Sequence, residues 1–238
     1  MNTPILSGEG VCQRAHDDGR MLLHDIDFQL WAGARVAISG ASGAGKSVFL
    51  RTISLLDLPA SGTLYCHNQP VRLNAHCIAQ HRSQIAYVRQ QAVLVPGTVR
   101  DNLFLPFTLH HYQHKKFQPD NVQRVLESLG KDGNFLERDA TDLSGGEAQL
   151  VCLLRILQLN PPVLLLDEPT ASLDEDSAQA VQKLVGQWQE DNPQAAYIWI
   201  SHSEQQINQV GDEIWYLDAG RITHTRKSTR AGGNNAGN

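Results

Sequence analysis

The segment that most constrains this chain is Gly40-Ala41-Ser42-Gly43-Ala44-Gly45-Lys46-Ser47, which fits the pattern GxxxxGK[ST]. Arg35 to Ser39 before it is a short apolar run of strand type. After it, from Val48 to Leu56, Phe49, Leu50, Ile53 and Leu56 recur at helical spacing, and Pro59 and Gly62 end the run. A strand, a glycine-rich turn and a helix in that order form a phosphate cradle. The glycines let successive N–H groups turn inward, and the helix points its positive end at the same anion. The pattern predicts that Lys46 reaches the β- and γ-phosphates of a nucleotide and that Ser47 offers its hydroxyl to Mg²⁺.

A second acidic feature agrees. Val163-Leu164-Leu165-Leu166 is an apolar strand that ends in Asp167 and Glu168. A strand buried to its end brings Asp167 to the carboxyl edge of a parallel sheet, where ligands bind in open α/β folds. Asp167 can then hold Mg²⁺, and Glu168 is placed to orient or deprotonate an attacking water. Pro169 also allows a plain reading, an acid pair at a helix start.

Strands and helices alternate along the chain. Ile26, Phe28 and Leu30 alternate with polar residues, and Ile85–Val88 and Ala196–Ile200 read as further strands. Val122–Leu129, Ala148–Leu159 and Ser177–Gln189 read as helices, and Ile214–Leu217 with Arg221–Thr223 as a closing hairpin. From residue 91 to 141 the chain is richer in Gln, His and Asn and holds Pro96, Pro106 and Pro119, which reads as a mostly helical insertion. Residues 224–238 lack any aliphatic side chain larger than Ala and read as a flexible tail. Its Arg226, Lys227 and Arg230, without an acid, could also touch anionic lipid headgroups.

Composition narrows the function. The 238 residues are 41% hydrophobic, enough for a core. Lys and Arg number 20 against 25 Asp and Glu, so the broad basic footprint of a nucleic-acid binder is absent. No run approaches a membrane span, and the first 20 residues do not read as a signal peptide. Cys12, Cys66, Cys77 and Cys152 form no CxxC pair and read as reduced thiols.

Leu143-Ser144-Gly145-Gly146-Glu147 lies between the phosphate loop and the acidic strand, directly before an apolar helix. Ser144 and Glu147 fit a capping box. The same five residues resemble the signature of the ABC transporter ATPases. Gln90 after Tyr87-Val88-Arg89 resembles that family's Q-loop, Ala171-Ser172-Leu173-Asp174 its D-loop, and Ser201-His202 its switch histidine. The resemblance spans about Ile26 to Ile222. It implies an α/β P-loop NTPase with a RecA-like core (about 1–90 and 160–223), an antiparallel β arm and a helical subdomain (about 91–159). The cofactors implied are ATP and Mg²⁺, the metal held by Ser47, Gln90 and Asp167.

The resemblance further implies a head-to-tail homodimer. Each ATP lies between residues 40–47 of one subunit and the signature, Leu143 to Glu147, of the other. Glu168, His202 and Gln90 are the implied catalytic residues, with Asp174 in the D-loop. The implied partners are separate multi-span membrane subunits, which hold the ATPase at the cytoplasmic face of the inner membrane. A soluble ABC ATPase of translation or DNA repair is the alternative. The segment PGTVRDNL followed by Pro106 is similar to that of FetAB-type bacterial iron exporters and of plant aluminium-resistance ATPase subunits.

Three features depart from the family pattern. Residues 1–27 hold no Phe, Tyr or Trp to stack on adenine, which leaves His16 or Arg14. Leu150 stands where the family usually has Arg, and Arg155 matches a later Arg of that helix. Val48 follows Ser47 where Thr is commoner. His110, His111 and His114, and Cys66-His67 with His76-Cys77, are candidate metal ligands, with a solvated loop and packed thiols as the plainer readings.

Overall fold

The computed structural model describes residues 3–15 and 17–228. They divide into two compact units. The first contains residues up to 87, 162–168 and 193–228; the second contains 88–161 and 169–192.

In the first unit β1 (Leu6–Arg14) and β2 (Met21–Leu30) pair antiparallel. With β4 (Ser61–Cys66) and β5 (Gln69–Pro70) they form the arm, in the order β2-β1-β4-β5. β1 has no simple alternation because its register shifts between Gly8 and Val11 and again before Gln13 and Arg14. Such bulges bend a strand and break the period of two.

The second sheet runs β10-β9-β3-β8-β7-β6. Its strands are β3 (Arg35–Ser39), β6 (Ile85–Val88), β7 (Val163–Asp167), β8 (Ala196–Ile200), β9 (Glu213–Asp218) and β10 (Arg221–Lys227). β3 is parallel to both β8 and β9, and β8 is parallel to β7. Every residue of β7 and β8 is buried, as continuous apolar runs in a parallel sheet require. Helix α1 (Lys46–Ile53) shares one core with both sheets, where Phe49 meets Phe28 edge-on at 5.2 Å between ring centres. α1 stops before Leu56, because Leu55 takes φ +59°. α2 (Ala75–Gln84) and α7 (Glu204–Val210) complete the unit.

The second unit holds α3 (Val99–Phe104), α4 (Pro119–Ser128), α5 (Gly145–Leu157) and α6 (Glu175–Asp191), joined partly by 3₁₀ turns. Apolar α5 packs against α3 and α6. Helix α6 thus groups with the helical unit and not, as its position in the chain implied, with the RecA-like core. Buried Asn102 ties this unit's loop to its helices: it accepts from the Val95 N–H at 2.8 Å and donates to the Val95 and Thr98 carbonyls.

The expected tail begins too early. His224–Lys227 belongs to β10 and pairs antiparallel with β9. His224 stacks on Tyr216 at 4.1 Å, and Arg226 Nε donates to the Tyr216 hydroxyl. An edge strand with one wet face needs no aliphatic residues, so composition hid it. Arg226 is therefore engaged in the fold and Lys227 ends β10, while Arg230 lies outside the described residues. No helix among the described residues is long and apolar enough to cross a membrane.

Candidate active site

Three adjacent parallel strands build the site. Ile38 of β3 pairs with Ile200 of β8, and Ile200 pairs with Asp167 of β7. Their carboxyl ends therefore share one sheet edge, which carries the loop Gly40–Ser47, the acids Asp167 and Glu168, and Ser201-His202.

The loop closes onto α1 through Gly45, the N-cap, at φ +103°. No side-chain cap satisfies the first N–H groups of α1, so they remain available to an anion. Lys46 is 5% exposed, and its ammonium donates to the Gly40 carbonyl at 2.8 Å and the Ala41 carbonyl at 2.9 Å. Burial pushes its pKa below the ordinary lysine value, against the opposing pull of Glu168 and Asp167. Two of its three donors are committed to the loop, which leaves one for a phosphate oxygen.

Ser47 Oγ donates to Asp167 Oδ1 at 2.9 Å, and the Tyr87 hydroxyl donates to Asp167 Oδ2 at 2.7 Å. A hydroxyl beside a buried carboxylate is a hard-oxygen pair of the kind Mg²⁺ takes, so this donor set fits the metal. Glu168 lies one residue beyond β7 with φ +48°, a left-handed backbone that non-glycine residues adopt at a cost of about 1–2 kcal/mol. Its Oε1 lies 2.8 Å from His202 Nε2. Strain of this sort persists where the surroundings over-determine it.

The signature residues lie in the second unit. Ser144 caps α5: its hydroxyl accepts the Glu147 N–H at 3.2 Å, and its own N–H donates to Glu147 Oε2 at 3.0 Å. Burial raises the Glu147 pKa, but hydrogen bonds from Ser144 and Lys131 outweigh it and hold the carboxyl below its usual range. The capping box is thus present, and it leaves Leu143 half-buried and Gly145 exposed. Asp174 caps α6, accepting the Ser177 N–H at 2.9 Å and the Ser177 hydroxyl at 2.8 Å. Gln90 is exposed, two residues past β6.

Gly146 is buried against Ser177, and a Cβ there would stand 2.7 Å from Ser177 Cβ and closer still to its hydroxyl. Gly146→Ala is expected to destabilise the protein by about 1–3 kcal/mol through overpacking. Denaturant unfolding of the variant checks this, and pairing it with Ser177→Gly should recover part of the loss.

The ABC transporter family model matches residues 23–171, more than half of the chain. The chain belongs to the ABC transporter family. The Escherichia coli (strain K12) protein named "Probable iron export ATP-binding protein FetA" is 35% identical over 214 residues, covering 90% of this chain and 91% of its own length. The methionine import ATP-binding protein MetN of Ralstonia nicotianae is also 35% identical, over 219 residues, covering 90% of this chain and 62% of its own. The dimeric post-hydrolysis structure of the ATP-binding cassette MJ0796 with ADP and Pi superposes with a TM-score of 0.80 at 26% identity, covering 93% of this chain and 98% of that one. The chain is thus an ABC ATPase cassette and binds ATP.

The candidates for adenine stacking and for metal binding stand as follows. Arg14 ends β1 and donates to the Gly19 carbonyl at 3.1 Å, beside the arm's turn. His16 lies outside the described residues. The rings of His111 and His114 are 6.4 Å apart, and Cys66 donates to Gln84 Oε1 at 3.1 Å. Among the described residues, no group of three or more His, Cys, Asp or Glu could hold a metal ion. Sequence reasoning passed over two site features. Tyr87 entered it only as a neighbour of Gln90, although an aromatic with a hydroxyl at the end of a strand was a usable signal. Arg155 was aligned by position alone, whereas its guanidinium donates to the Val93 carbonyl at 2.8 Å and thereby straps the loop after Gln90 to α5.

Proposed function

We propose that this ABC ATPase powers a membrane transporter formed with separate membrane subunits, working as a head-to-tail dimer, and that its cargo is a metal ion, iron, moved outward. The single observation that carries the catalytic part is the shared edge of β3, β7 and β8, with its Lys46, Asp167, Glu168 and His202.

Residues 40–45 cradle the phosphates through backbone N–H groups, and Lys46 supplies a cation to the β- and γ-phosphates. Ser47 and Asp167 would hold Mg²⁺, which would supply charge neutralisation to the nucleotide's phosphates when bound. Glu168 accepts a proton from the attacking water or orients it, and His202 fixes the Glu168 carboxylate and reaches the γ-phosphate. Ser144 and Gly146 present a hydroxyl and a helix N-terminus to the nucleotide of the second subunit, with Asp174 of the D-loop on the neighbouring helix start. ATP closes such a dimer, and loss of the γ-phosphate reopens it.

Exposed apolar side chains on the helical unit support a docking role: Val93, Val95, Phe104, Leu105 and Leu109. Identity does not choose the cargo, since the named iron exporter and the named methionine importer are equally similar. The iron reading rests on the segment Pro96–Leu103, which forms a loop and a capped helix start at Thr98. Peripheral attachment at the cytoplasmic face of the membrane follows from that docking.

Affinity purification from native membranes in ATP tests this reading. A co-purifying multi-span membrane protein supports transport, and ribosomes, DNA or no partner overturn it. A second expected result concerns pairing. Ser144→Arg should leave nucleotide binding by the monomer within about twofold and abolish ATP-driven dimers, because only the opposite subunit's phosphate meets Ser144. Equilibrium binding and size-exclusion chromatography read the two quantities separately.

A further inference from the structure

The two oxygens of Asp167 are held from two directions. Ser47 donates to Oδ1 at 2.9 Å from the start of α1, and Tyr87 donates to Oδ2 at 2.7 Å from β6. The carboxylate is 6% exposed, and it forms no ion pair among the described residues. Rotating it about its Cβ–Cγ bond would break both hydrogen bonds at once, and each is a bond to a charged acceptor.

We propose that Tyr87 is a positioning residue for Mg²⁺-nucleotide binding, setting the plane of the Asp167 carboxylate so that Oδ1 stays with the Ser47 hydroxyl. A phenol suits this task. It donates one strong bond yet leaves the full negative charge on Asp167 for a cation, which a lysine or arginine at the same place would cancel. Tyr87 lies three residues before Gln90 in the chain, so the strand that orients the carboxylate also leads into the segment carrying Gln90. The inference rests on the reading of Ser47 and Asp167 as the Mg²⁺ site.

The test is calorimetric binding of a non-hydrolysable ATP analogue to the full chain, with Mg²⁺ and with EDTA. It compares the wild type, Tyr87→Phe and Tyr65→Phe. Tyr65 also donates its hydroxyl to a carboxylate, Glu9 at 2.9 Å, but on the arm. In the wild type, Mg²⁺ is expected to tighten binding. In Tyr87→Phe that gain should shrink about three- to tenfold, the worth of one hydrogen bond to a charged group partly replaced by water. Affinity in EDTA should stay near wild type and the melting temperature should fall by no more than a few degrees, while every value for Tyr65→Phe should match wild type. An undiminished Mg²⁺ gain in Tyr87→Phe overturns the role. Equal losses with and without Mg²⁺ overturn it in favour of packing alone. If the wild type itself shows no Mg²⁺ gain, the metal-site reading falls, and the role of Tyr87 with it.

Discussion

Glu168→Gln is expected to lower ATP turnover by about 10²–10⁴-fold while ATP affinity stays within a few fold of wild type, the range that loss of a general base produces. The substitution keeps the shape of the side chain and an oxygen that can face His202, which now lies 2.8 Å from Glu168 Oε1. What it removes is the negative charge and the basicity. The strained backbone at φ +48° is untouched, because it is set by the turn out of β7 and not by the carboxylate. Binding is expected to survive because the proposed phosphate contacts come from residues 40–47. In the proposed cycle hydrolysis reopens the dimer, so ATP should also trap the variant as a dimer. Phosphate release gives the first quantity and size-exclusion chromatography in ATP the second. Turnover at the wild-type rate would remove Glu168 from the chemistry.

Lys46→Ala is expected to weaken ATP binding by about 10- to 150-fold, because the one charge-assisted bond it can give to phosphate is worth about 1.5–3 kcal/mol and tenfold corresponds to about 1.4. Its effect on folding should be small by comparison. The Lys46 pKa is lowered, which means that burial disfavours the ammonium by more than Glu168 and Asp167 stabilise it. A group whose charged form is disfavoured in the fold does not hold the fold together by its charge. The cost is confined to the Gly40 and Ala41 carbonyls, which lose a donor at the rim of the loop where water can reach them. Equilibrium nucleotide binding together with thermal unfolding separates the two effects. A collapse of stability parallel to the loss of binding would make Lys46 a structural residue first.

Much of this protein was legible in its residues. Val163–Leu166 and Ala196–Ile200 read as buried strands because a parallel sheet covered on both faces admits only apolar side chains, and both strands are fully buried. The capping box at Ser144 and Glu147 was legible because capping is local, between residues three positions apart. β1 was not legible, since Gly8, Gly10 and repeated register shifts erase its period. Of the last strand, Arg221–Thr223 was legible as half of a hairpin, but its continuation His224–Lys227 was not, because its histidine, threonine and cations resemble a tail until β9 pairs with them. The grouping of α6 with the helical unit was likewise hidden. It comes from the packing of α5 on α6, where Gly146 abuts Ser177, a contact distant in the chain that no local pattern encodes.

The sequence by itself determined which chemical groups this ATPase owns: a glycine-rich loop ending in a lysine and a serine, two carboxylates closing an apolar strand, a histidine closing another, and a capped glycine pair before a helix. Each of these is a local pattern whose physics acts over a few residues. Only the tertiary structure decided which groups touch. Ser47 and Asp167 are 120 positions apart, Tyr87 and Asp167 80 apart, and hydrogen-bond distance between them exists because their elements come together at one end of the central sheet. Contacts of that kind are set by strand order and register, which no short pattern encodes.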